Sequence, residues 1–174
     1  MFERFDRVVK DVVVGSQAIA VEQGSEHVDA VHLACALLRR PVGVVHRVLE
    51  ENGVAADAVE AEFDKVRRRG GLSDTEVDAL AAVGIDVDHV LAQLGGQDDV
   101  TGRRRRKFFH HMPFSDAARR VLLRSLEEAR NLGEKRITVD HLLLGALGVQ
   151  GPVADVLADA GVTTTAVHRH LQRR

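Results

Sequence analysis

The sequence predicts an all-α fold, built as a tandem pseudo-twofold repeat of a four-helix motif with a helical or flexible insert between the copies. Three observations predict it. No stretch alternates apolar and polar residues with the period of two that a half-buried strand requires. The 174 residues include only three Pro and are rich in Ala, Leu, Glu and Arg, residues that lose little on entering a helix. Finally, the chain repeats itself. Phe5-Asp6-Arg7-Val8-Val9-Lys10-Asp11-Val12-Val13-Val14-Gly15-Ser16 returns as Phe114-Ser115-Asp116-Ala117-Ala118-Arg119-Arg120-Val121-Leu122-Leu123-Arg124-Ser125. The same offset, about 109 residues, pairs Gly24 with Gly133, His32 with His141 and Leu38 with Leu147, so one helical unit has been duplicated.

Each element has its own signal. The first helix starts at Asp6, a good N-cap, and turns Val8, Val9, Val12, Val13, Ser16 and Ala20 inward before Gly24 ends it. Its counterpart runs from Ser115 to Gly133. Asp29 and Thr138 open the second helices, which are apolar almost throughout and therefore central. Third helices are expected at 43–49 and 153–157, closed by Asn52-Gly53-Val54 and Ala160-Gly161-Val162. Fourth helices follow near 57–68 and 164–172. The boundaries drawn are 1–69 for the first repeat, 70–110 for the insert and basic linker, and 111–174 for the second repeat. Within the insert, 74–82 and 87–94 read as short helices separated by Gly84-Ile85-Asp86, and Gly95-Gly96 opens a polar run expected to be flexible.

Composition narrows the function. Hydrophobic residues make up 45% of the chain but aromatic residues only 3%, with no Trp or Tyr. The core is therefore aliphatic, and few flat rings remain to stack on bases or sugars. The lone Cys35 sits in an apolar run, so an intrachain disulfide is impossible and a buried thiol is expected. No long apolar stretch follows Met1, so neither a leader nor a membrane span is expected, and the chain reads as cytoplasmic. Charge is uneven. Arg103 to Arg136 holds 11 Lys or Arg against 4 Asp or Glu, whereas 50–64 and 74–99 are mainly acidic.

Catalytic and metal chemistry find little support. His27 and His32 are out of phase for one helix face, His110-His111 adjoins a basic run, H-E-x-x-H is absent, and one Cys cannot build a thiolate site. No metal, cofactor or catalytic residue is assigned. His32 and His141 read as buried structural residues whose rings bond to backbone. There is no G-x-S-x-G, and Ser16 and Ser125 fall on inner faces. The run Arg103-Arg104-Arg105-Arg106-Lys107 followed by Phe108-Phe109 supports an alternative reading, a nucleic-acid-associated regulator binding phosphates through residues 103–107. One short run on a net acidic chain disfavours that alternative. A solvated linker, or a segment docked on the acidic insert, is the preferred reading of the run. Phe2, Phe108 and Phe109 leave the oligomeric state open.

The repeated residues resemble the double N-terminal repeat of the Clp ATPases, the ClpC and ClpA types especially. The resemblance is carried by Met1-Phe2-Glu3-Arg4-Phe5, Met112-Pro113-Phe114-Ser115, Asn131-Leu132-Gly133 and Val139-Asp140-His141-Leu142-Leu143-Leu144-Gly145, and covers both copies without the insert. It implies a non-catalytic domain that binds proteins or peptides destined for Clp degradation, or binds a Clp unfoldase. The phosphate loop G-x-x-x-x-G-K-[ST] is absent, so the expectation is a recognition module without its ATPase: an adaptor, a competitor, or a decoy for a small-molecule ligand of Clp N-domains. The resemblance also implies a phosphoarginine site in each repeat, with a Thr or Ser at the first helix N-terminus facing the phosphate and a Glu before the repeat His facing the guanidinium. In repeat 2 these positions are Ser115 and Asp140, with Arg119 one turn on as a further cation. In repeat 1 they are Asp6 and Val31, a degenerate pair that would repel the phosphate and leave the guanidinium without a partner.

Overall fold

The computed structural model describes residues 2–70, 72, 74–94 and 112–172. The basic run Arg103–Lys107, with Phe108, Phe109, His110 and His111, lies outside the described residues. After a short 3-10 turn at Phe2–Arg4 the helices are α1 (Arg7–Glu22), α2 (Ala30–Leu38), α3 (Val44–Glu51), α4 (Ala56–Arg68), α5 (Asp74–Ala82), α6 (Val87–Leu94), α7 (Asp116–Asn131), α8 (Val139–Leu147), α9 (Pro152–Asp159) and α10 (Thr164–Leu171). The all-α expectation holds: among the described residues there is no strand, only two isolated bridges. α1 to α4 form the first repeat, α7 to α10 the second, and α5–α6 the insert.

The expected caps are present. Asp6 and Ser115 accept from Val9 N at 2.7 Å and Ala118 N at 3.1 Å, closing the first turns of α1 and α7. The paired histidines complete capping boxes at the second helices: the side chain of each cap residue accepts from the histidine's backbone N–H. In return Asp29 N donates to His32 Nδ1 at 2.8 Å and Thr138 N to His141 Nδ1 at 3.0 Å. Both rings are buried, so the structural reading of these histidines stands.

The two copies interlock and share a single core. The segment before α1 pairs with the segment before α8, and the segment before α7 pairs with the one before α2. Asp6 N donates to Ile137 O (3.0 Å) and Ile137 N to Arg4 O (2.8 Å), while Ser115 N donates to Val28 O (2.9 Å) and Val28 N to Pro113 O (2.8 Å). These are equivalent bonds under the duplication, and they mark its twofold axis. α2 and α8 lie against each other at the centre. α4 of the first repeat packs on α9 of the second, and α10 of the second on α3 of the first. Crossing therefore sets residues of one repeat beside residues of the other at both of these contacts.

Candidate functional site

A cavity of about 460 Å³ opens where the N-termini of α2 and α7 meet the end of α4. Ser115 comes from the second repeat, while Ser25, Glu26, Asp29, Val31 and Arg67 come from the first. Their convergence follows from the crossed pairing. The Ser115–Val28 bond holds the start of α7 beside Asp29, and Ser115 Oγ donates to Asp29 Oδ1 at 2.6 Å while accepting from Ala118 N. Asp29 Oδ1 also accepts from Ala30 N at 2.8 Å.

The chemistry of the cavity is mixed in sign. Two helix N-termini and the Arg67 guanidinium favour an anion, and Asp29 and Glu26 favour a cation. Next to them, burial pushes the His32 pKa below its ordinary value, the Asp29 carboxylate opposes this and Arg67 assists it. The ring is thus held neutral, which matches its task of accepting from Asp29 N through Nδ1. Its Nε2 lies 3.1 Å from Gln23 Oε1, a natural acceptor for the remaining ring proton.

The residues expected from the resemblance fall in different places. Ser115 lines the cavity, and so does Val31, the position of its partner in the other copy. Asp140 is not among the lining residues. It is buried, and its Oδ1 accepts from Val44 N at 2.7 Å, so it caps α3 across the repeat boundary. Gly43, which precedes α3, cannot do this itself, and it has φ +98° and no room for a Cβ beside Val139 and Asp140. Asp6 caps α1. Arg119 is exposed and lies 3.6 Å from Asp116 on the outer surface of α7.

Arg67 and Glu26 were not singled out by sequence reasoning. Neither belongs to a motif, and only the crossing of the repeats brings them to Ser115. A second cavity, of about 310 Å³, lies between α4 and α9 with Val59, Val66 and Val156 in its lining and Glu62, Lys65 and Asp159 among its charged groups. Among the described residues no group of three or more His, Cys, Asp or Glu is placed to hold a metal ion. Cys35 is buried, and burial, then Glu60 and Asp64, push its thiol up to about 12, so it is inert at neutral pH.

Comparison with known proteins sets this geometry in a family. The profile of the Clp repeat (R) N-terminal domain matches residues 4–93, 72–160 and 113–174. The chain is 29% identical over 174 residues to the ATP-dependent Clp protease ATP-binding subunit ClpA homolog of Guillardia theta, covering 99% of this chain and 17% of that protein. It is likewise 29% identical to chloroplastic chaperone protein ClpC2 of Arabidopsis thaliana, covering 99% of this chain and 15% of that one. The chain thus spans less than a fifth of the length of these relatives. Among solved structures, the N-terminal domain of the caseinolytic protease associated chaperone ClpD from Arabidopsis thaliana superposes with a TM-score of 0.53 at 19% identity, covering 99% of this chain and 97% of that one. A chain from structural investigations of a malarial protein secretion system superposes with a TM-score of 0.61 at 16% identity, covering 98% and 93%. These likenesses share the all-helical fold, and the duplicated motif is matched along nearly the whole sequence: the chain belongs to the Clp N-terminal repeat family.

Proposed function

We propose that this chain is a non-catalytic protein- or peptide-binding module of Clp-dependent proteolysis, serving an AAA+ unfoldase as substrate receptor, adaptor or decoy, and that the cavity between α2, α4 and α7 is where it grips its ligand. One observation carries the choice of site: a single open cavity joins anion-favouring groups (Arg67 and the N-termini of α2 and α7) to carboxylates (Asp29 and Glu26). That combination suits a side chain carrying an anion on a planar cation, which is the chemistry of phosphorylated arginine. The guanidinium partner in this reading is Glu26, since Asp29 is engaged by Ser115 Oγ and Ala30 N, and Asp140 is left to its cap. No sequence motif for nucleophilic or metal-assisted catalysis accompanies the cavity.

Calorimetric titration tests the proposal, with an arginine-phosphorylated peptide, its unphosphorylated control, and the variants Arg67→Ala, Glu26→Ala and Asp140→Asn. Binding near one equivalent that requires the phosphate, weakens roughly tenfold or more in the first two variants and survives Asp140→Asn supports the reading. Binding that ignores the phosphate or the cavity variants, or no binding at all, overturns the phosphoarginine assignment.

A further inference from the structure

The inserted arm α5–α6 leaves apolar surface uncovered. α5 has no buried residue, and α5 and α6 pack chiefly on each other. Val87 is the single buried side chain described along the arm, while Val83, Ile85 and Val90 are 73%, 44% and 43% exposed. The arm is also of one sign: Asp74, Glu76, Asp78, Asp86 and Asp88 lie within 74–94 and no Lys or Arg does. Arg69 at its base pairs with Asp74 and lies 3.9 Å from Asp88, which ties the arm to the end of α4. Exposed apolar side chains set among like charges mark a surface made for a partner of the opposite charge.

A matching surface exists on the second repeat. The outer face of α7 and the turn after it present Arg120, Arg130, Lys135 and Arg136, which form no ion pair among the described residues, together with the exposed Leu123 (48%) and Leu132 (40%); Asp116, Glu127 and Glu134 are exposed there too, the first two beside Arg119 and Arg124, so the surface is basic only on balance. The first repeat does not share this basic character. Its equivalents of the four cations are Asp11, Val21, Glu26 and His27, although Val14, equivalent to Leu123, is exposed too. The acidic arm and the basic face are thus the two surfaces that break the internal symmetry, and they are complementary in both charge and apolar content.

We infer that two copies of this chain associate with the arm of each laid on the α7 face of the other. Exchange of this kind closes a twofold dimer, because each contact is made twice and neither surface is left over to propagate a filament. Apolar contacts from Val83, Ile85 and Val90 to Leu123 and Leu132 supply the burial, and the opposed charges set the register.

Sedimentation over a concentration series, at low and high salt, tests the inference on the full chain. The wild-type chain dimerises, with a Kd that rises with salt. Asp78→Lys/Asp86→Lys on the arm, and separately Arg120→Glu/Arg130→Glu on α7, each weaken the homodimer at least roughly tenfold. An equimolar mixture of the two variants restores a dimer, since each reversed surface then meets its reversed partner. Asp86 also accepts from His89 N at 3.0 Å, so Val83→Ser/Val90→Ser, which keeps that cap, provides an independent disruption with an unchanged melting temperature. A wild-type monomer at all concentrations, a dimer indifferent to either reversal, or a mixture that stays monomeric overturns the proposal.

Discussion

The two repeats solve the same packing problems with different residues, and the differences show which positions are structural. α1 crosses α2 with Gly15 on the first helix and Ala36 on the second. α7 crosses α8 with Arg124 and Gly145 at the equivalent positions, so the glycine has changed sides. In the first pair a Cβ on Gly15 would meet Ala36 Cβ at 3.6 Å, an ordinary contact. In the second, a Cβ on Gly145 would meet Ser125 Oγ at 2.4 Å and Val121 O at 2.5 Å. Only the second crossing depends on the missing side chain. At the third helices the contrast is of another kind. The N–H of Val44 at the start of α3 is capped by Asp140, whereas α9 starts with Pro152, which has no N–H to cap, and the equivalent of Asp140 is the apolar Val31. Gly43 is pressed against Asp140, while Gly151 has open space around it. One repeat has sealed this position with a carboxylate, and the other has left Val31 on the wall of the cavity.

The glycine contrast yields the largest expected effect. Gly145→Ala forces α7 and α8 apart against a backbone carbonyl and destabilises the fold by roughly 2–3 kcal/mol. Gly15→Ala relieves the backbone entropy of a mid-helix glycine and stabilises by up to about 1 kcal/mol, offset by any crowding at Ala36. Urea unfolding of the two variants gives midpoints that move in opposite directions. Equal shifts would mean that the two crossings are alike after all.

The carboxylate contrast comes next. Asp140→Val, which gives the second repeat the residue of the first, strands the buried N–H of Val44 and costs about 1–3 kcal/mol. Asp140→Asn keeps an acceptor and recovers most of the loss. Denaturant midpoints check the order wild type, Asn, Val. A large loss of ligand binding in Asp140→Asn at unchanged stability would instead return Asp140 to the ligand.

Much of this fold was legible in the sequence because its signals are local. Asp6, Asp29, Ser115 and Thr138 announce helix starts, Gly24, Gly53, Gly133 and Gly161 announce ends, and the lack of period-two alternation argues against strands. The constant offset revealed the duplication, and the insert helices 74–82 and 87–94 stand where the Gly84-Ile85-Asp86 break places them. The candidate site was legible only in part. Ser115 could be identified from its place before α7, but its neighbours could not. A repeat read along the chain suggests that Ser115 works with Asp140 of the same copy. The bridges Phe5 to Ile137 and Phe114 to Val28 instead exchange the copies, setting Ser115 beside Asp29, Val31 and Arg67. Periodicity carries no information about such an exchange, because both arrangements bury the same helix faces.

The smallest expected effect concerns the histidines, where the two repeats agree. His32 and His141 both accept a backbone N–H at Nδ1, and burial lowers both pKa values, with Asp29 opposing in the first case and Glu134 then Asp140 in the second. A proton on Nδ1 removes the acceptor and places a charge in the core. Since the folded chain holds these groups below the ordinary histidine value of 6.5, the unfolded chain binds protons first as pH falls. The stability they contribute is therefore complete above that value and is lost as pH drops through the lowered folded values. Unfolding free energy measured downward from neutral pH should decline accordingly. His32→Asn and His141→Asn, which offer a side-chain acceptor that does not titrate in this range, should each flatten the decline, and the double variant more than either. A decline as steep in the double variant as in the wild type would show that other groups, and not these two rings, carry the acid sensitivity of the fold.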